Sequence, residues 1–154
     1  MREDLISIGD DFWIENDRGQ RLYKVDGKAL RVRKTLAFED ASGQELCHIQ
    51  ERVMRIKDSM EIEGPNGDHM AMVKKAMITP LRERYQVKIG NGPDLDVQGN
   101  ILDHEYRVES NGLKVAEVSK KWFRARDTCG VEIAPGQNDI VVLAGTVAID
   151  MMAH

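Results

Sequence analysis

The chain has 154 residues, of which 42% are hydrophobic and 31% charged, and carries a formal net charge of -4. That length supports one hydrophobic core without staples, so a single domain over 1–154 is expected. With a pI near 5.6, the balance excludes a nucleic-acid binder that works through bulk positive charge.

The opening MREDLISIGDDF reaches Asp10 and Asp11 before a signal-peptide apolar core can accumulate. Cys47 and Cys129 have no CxxC partner and give neither a zinc spacing nor a disulfide framework. A reducing, cytoplasmic setting is the expectation.

Four segments then repeat along the chain: IENDRGQRLYKV (14–25), FEDASGQELCHI (38–49), IEGPNGDHMAMV (62–73) and VESNGLKVAEV (108–118). They align on Gly19, Gly43, Gly67 and Gly112, each preceded by an apolar residue and a glutamate: Glu15, Glu39, Glu63 and Glu109. Apolar residues follow at the third and sixth positions after the glycine, as in Leu22 and Val25. Asx, Pro and Gly before the apex are turn chemistry, because glycine reaches positive φ without strain. Each repeat therefore predicts a β-hairpin.

Between the hairpins the period is two. Met54, Ile56, Met60 and Ile62 share one parity, and Leu102, His104, Tyr106 and Val108 alternate with Asp103, Glu105, Arg107 and Glu109. Pro80 and Pro93 mark loops. About a dozen short antiparallel strands result, which suggests a closed barrel or a sandwich.

The last segment, NDIVVLAGTVAIDMMAH, is apolar around its whole circumference from Ile140 to Ile149. Asp139 is a good N-cap for a helix, and such a helix must be buried. The β-branched residues leave a central strand open as well. A membrane span is excluded, because Asp150 interrupts a run far shorter than the ~20 residues a bilayer requires.

The stretch VSKKWFRARDTCGVEIAPGQNDIVVLAGTVAIDMM (118–152) resembles the LURP-one-related family, within the superfamily of tubby C-terminal domains and phospholipid scramblases. IGDDFWIENDRGQRLYKVDGKAL (8–30) and DLDVQGNILDHEYRV (94–108) are similar to the same family. The resemblance implies a mainly β fold: a closed antiparallel barrel of about 12 strands around a buried hydrophobic C-terminal α-helix. Under that reading Gly145 admits a close strand and Thr146 returns its hydroxyl to a carbonyl one turn back. Cys129 stands where the family pattern leads one to expect an aromatic.

No catalytic signature emerges. His48, His69, His104 and His154 form no i, i+4 pair or HExxH, the glycines serve turns rather than a phosphate loop, and GxSxG is absent. An EF-type loop laid from Asp127 places Cys129, Val131 and Asn138 where oxygen ligands are needed. No catalytic residue, metal or cofactor is therefore expected, and the protein is read as not an enzyme. His104 is read as a buried, hydrogen-bonded histidine rather than a base.

Basic residues supply the one positive indication. Lys74 and Lys75, Lys120 and Lys121, and Arg124 and Arg126 follow two of the hairpins, with Trp122 and Phe123 beside the second group. They form the expected headgroup site of a domain associating peripherally with anionic phospholipid or phosphoinositide. Cross-strand charge pairing is the competing explanation. The alternatives in function are scramblase-like lipid translocation and a scaffold for an unidentified protein partner. No nucleic acid and no membrane span are expected.

Overall fold

The computed structural model describes residues 2–8, 11–16, 18–30, 35–51, 59–79, 82–90, 92–120 and 128–153. Among them are β1 (Arg2–Ile8), β2 (Asp11–Asn16), β3 (Arg21–Leu30), β4 (Thr35–Asp40), β5 (Glu45–Glu51) and β6 (Ser59–Glu63). These continue as β7 (His69–Thr79), β8 (Arg82–Ile89), β9 (Leu95–Asn100), β10 (Glu105–Ser110), β11 (Leu113–Ser119) and β12 (Thr128–Ile133), and the chain closes on α1 (Asp139–Ala153).

The repeat is a physical unit. Gly19 N donates to Asn16 O at 3.0 Å, Gly43 N to Asp40 O at 3.0 Å, and Gly67 N to Gly64 O at 2.9 Å. These glycines have φ of 74°, 88° and 83°, the left-handed conformation that admits glycine most readily. Two turns are locked further by side chains: Asn16 Oδ1 accepts from Arg18 N and Gln20 N, and Asp40 Oδ1 accepts from Ser42 N and Gln44 N. The Ser42 hydroxyl and then the Gln44 amide hold the Asp40 carboxyl below the usual carboxylate range. The fourth hairpin is one residue shorter, with Asn111 and Gly112 at φ 52° and 80°, as an Asn-Gly two-residue turn requires.

Beside each turn the ladder slips by one residue. Ile14 faces Tyr23 but Glu15 faces Arg21, and Phe38 faces Cys47 but Glu39 faces Glu45. The same shift follows Ile62 and Val108. The extra residues are Leu22, Leu46, Met70 and Val115, the apolar positions three after each glycine. Two apolar residues three apart would fall on opposite faces of a regular strand. A bulge with two residues opposing one removes the conflict, so Leu46 and Met70 pack against the core and Val115 lies within it.

The sheet is less regular than the expected closed barrel, because bulges interrupt its ladders. The antiparallel pairings run in the order β1, β12, β11 and so down to β2, with β1 paired to β2 and to β12. Six of the twelve ladders, however, are broken by register shifts, including wide ones between Asp26 and Leu30 and between Ala76 and Thr79. The helix sits unevenly inside, approaching β5, β6, β7 and β12 more closely than the other strands. The result, among the described residues, is an irregular twelve-stranded sheet, interrupted at the four repeated hairpins and also within the β3–β4 and β7–β8 ladders.

Val141 to Ile149 of α1 are buried without interruption, among inward side chains such as Ile14, Phe38, Ile62, Val73, Tyr85 and Val97. Thr146 Oγ1 donates to Val142 O at 2.9 Å, as expected. The N-cap shifts by one residue: Asn138 O accepts from Val142 N and Asn138 Oδ1 from Val141 N, while Asp139 occupies the first turn and complements the dipole there. No helix among the described residues is long and apolar enough to cross a membrane.

Candidate functional site

The bulges also shape the outer surface. Because each inserts a residue, positions two and five after the glycine come onto one outward face, where plain alternation would separate them. Lys114 Nζ accordingly donates to Glu117 Oε2 at 3.1 Å, and His48 Nδ1 lies 3.0 Å from Glu45 Oε1. In the first hairpin the pair is Arg21 and Lys24. Both stand over the Trp13 ring, at 4.2 Å and 5.2 Å from its centroid, close enough for cation–π attraction. Glu15 tempers this patch, its Oε1 lying 3.6 Å from Arg21 Nε.

The sequence-predicted basic site is distributed differently. Lys74 faces Ser59 and Gln86, on the outer surface. Lys75 has the opposite parity, facing the fully buried Tyr85 with its Nζ 5.8 Å from that ring centroid. Adjacent strand residues point to opposite faces, so the two lysines do not share a surface. Lys120 is exposed at the end of β11, three intervening strands from β7, which is roughly 19 Å across a sheet. Lys121, Arg124 and Arg126 lie outside the described residues, as do Trp122, Phe123 and Asp127. Among the described residues, the aromatic with two cations upon it is Trp13. Its signal in the sequence is the pairing of the Gly19+2 and Gly19+5 positions, legible only once the bulge is known.

His104 is also relocated. It does not alternate within β10 but closes the turn after β9, with φ of 54° and its N–H donating to Ile101 O at 3.1 Å. Leu102 is consequently 54% exposed. His104 Nε2 bonds Asp150 Oδ1 on the last part of α1, where a carboxylate faces the unfavourable end of the helix dipole. Next to it, Glu105 accepts from Ser119 Oγ at 2.8 Å and from Lys120 N at 3.0 Å. Two successive residues therefore tie the β9–β10 turn to the helix end and to the exit of β11. Replacing His104 with Ala is expected to cost about 1–3 kcal/mol, read from urea denaturation, with hydrogen exchange accelerating first at residues 148–153.

Cys47 is no nucleophile. Burial, reinforced by the charge of Glu45, pushes its thiol up to about 12, so almost no thiolate forms near neutrality. Among the described residues no three His, Cys, Asp or Glu side chains are arranged to hold a metal ion.

A family model described as LURP-one-related matches residues 1–150. The chain belongs to the LURP-one-related family. A solved X-ray structure of a protein from Arabidopsis thaliana has the same fold, at a TM-score of 0.72 and 18% identity, covering 97% of this chain and 88% of that one. A search of curated proteins returned no match.

Proposed function

We propose that this LURP-one-related domain is a non-enzymatic binding module that associates peripherally with anionic phospholipid on the cytoplasmic side of a membrane. The observation carrying this reading is the uninterrupted burial of Val141 to Ile149 inside the sheet. A sheet filled by its own helix offers no lumen for a substrate, and its buried Cys47 is chemically quiet, so recognition falls to the outer surface. Lys74 lies on the outer surface midway along β7, and Lys120 just past the end of β11 opposite the repeated turn. Lys121, Arg124 and Arg126 follow Lys120 directly in the chain, and the superfamily to which the sequence is similar includes lipid-associated proteins. Lipid translocation is supported less, since the 15 residues of α1 rise only about 22 Å against a hydrocarbon core of ~30 Å.

Co-sedimentation with phosphatidylserine-containing vesicles at low salt is the test, with phosphatidylcholine vesicles as the neutral reference. The domain should sediment with the anionic vesicles and be released by salt. Lys74→Gln and Lys120→Gln should each weaken binding about five-fold, as ~1 kcal/mol per basic residue implies. Equal partition onto both vesicles would remove the lipid reading.

A further inference from the structure

The outward face of β5, β6 and β7 holds an alternation of carboxylates and imidazoles. His48 on β5 bonds both Glu45 Oε1, at 3.0 Å through Nδ1, and Glu63 Oε2 of β6, at 2.8 Å through Nε2. His69 on β7 bonds Glu61 Oε1 of β6 through Nδ1 at 2.9 Å. Glu39 of β4 stands opposite Glu45, and Lys74 of β7 stands opposite Ser59. Gln50 and Met72, the neighbours of Glu61 across the two ladders, carry no charge. Four glutamates therefore face two histidines, Lys74 and, opposite Glu39, Lys24 of β3 on this surface.

The two histidines differ in what they require. A neutral imidazole has one N–H and one lone pair, so His69 keeps its single bond in either state. His48 cannot. With carboxylates on both ring nitrogens, its arrangement is complete only as the imidazolium, which donates twice through charge-assisted bonds. In the neutral form one lone pair meets a carboxylate oxygen, and Glu45 and Glu63 lose the charge between them.

We infer that His48 is a proton-dependent clasp that holds β6 against β5, closed while its imidazole carries both protons and loosened when one leaves. β6 is the strand on which such a clasp acts most directly. Among the described residues it has five and meets β5 through four residue pairs, with His48 and Glu63 at one end. Ser59, Met60, Glu61 and Ile62 are all buried, and α1 lies against this strand. Opening here therefore reaches the core directly.

Hydrogen exchange of the β6 amides, corrected for intrinsic rates and referred to β10, measures the clasp between pH 5.5 and pH 8. Protection of residues 59–63 should fall about ten-fold or more across that interval, the scale of one lost charge-assisted bond. In His48→Gln, which donates and accepts without titrating, the dependence should vanish, whereas His69→Gln should retain it. Unchanged β6 protection in the wild type, or the same pH dependence in His48→Gln, overturns the inference. Imidazole 15N shifts of the wild type decide the matter without a variant. Two protonated nitrogens at pH 5.5 support the clasp, and a neutral tautomer there overturns it.

Discussion

Ala144→Asp is expected to abolish folding, with loss of the cooperative urea transition and recovery of the protein only in the insoluble fraction. Ala144 is 0% exposed and is flanked by Leu143 at 1% and Val147 at 0%. A carboxylate there would stand among buried apolar side chains. It must remain charged in an apolar core or take up a proton, at a cost of several kcal/mol either way. Domains of this size have only about 5–15 kcal/mol in reserve, and the new side chain also overfills a packed site. Val147→Asp should behave alike. Gly145→Ala is the contrasting control, because a Cβ there meets only Val87 Cγ2, at an ordinary 3.7 Å. The expected need for glycine at a close strand approach is thus not met, and alanine should raise stability by about 0.5–1 kcal/mol through helix propensity. A soluble, cooperatively folding Ala144→Asp variant would mean that the helix is not the core.

What the sequence disclosed depended on whether local chemistry or register decided the outcome. The hairpin turns were legible because positive φ, Asx and glycine act within four residues, and the matching bonds at Gly19, Gly43 and Gly67 follow. The helix was legible as a buried element from its all-round apolarity, but only the family resemblance separated it from a strand. The outer surface was not legible. Alternation separates Arg21 from Lys24 and Glu45 from His48, and only the bulge brings each pair together. The same parity rule divides Lys74 from Lys75, which looked like one cluster because they are neighbours in the chain. His104 was misplaced because its left-handed conformation, uncommon for a non-glycine residue, leaves no mark on the hydrophobic pattern.

Gly99→Ala should be the most damaging of the single-methyl changes to the sheet. This glycine lies within β9 and serves no turn, contrary to the role expected of the glycines from sequence. Its φ is 142°, and an added Cβ would stand 2.5 Å from Glu105 O and 2.7 Å from Tyr106 Cα. Both are backbone atoms of β10, so no rotamer change relieves the contact. Tyr106, the residue paired with Gly99, is 4% exposed and supplies on β10 the side chain that β9 lacks, an arrangement in which an aromatic covers a strand glycine. The conformational penalty alone is about 1–3 kcal/mol, and forced separation of β9 from β10 adds to it. Separation would also displace the turn carrying His104, loosening its bond to Asp150 and the attachment of Lys120 N to Glu105. Urea denaturation should show the lowered midpoint, with amide shifts concentrated at residues 97–106 and reaching the end of α1. Gly112→Ala isolates the backbone term, since its φ is 80° but nothing lies within 4 Å of the added Cβ, and it should cost only about 1–2 kcal/mol. If Gly99→Ala proves no more damaging than Gly112→Ala, close approach of β10 is not what requires the glycine.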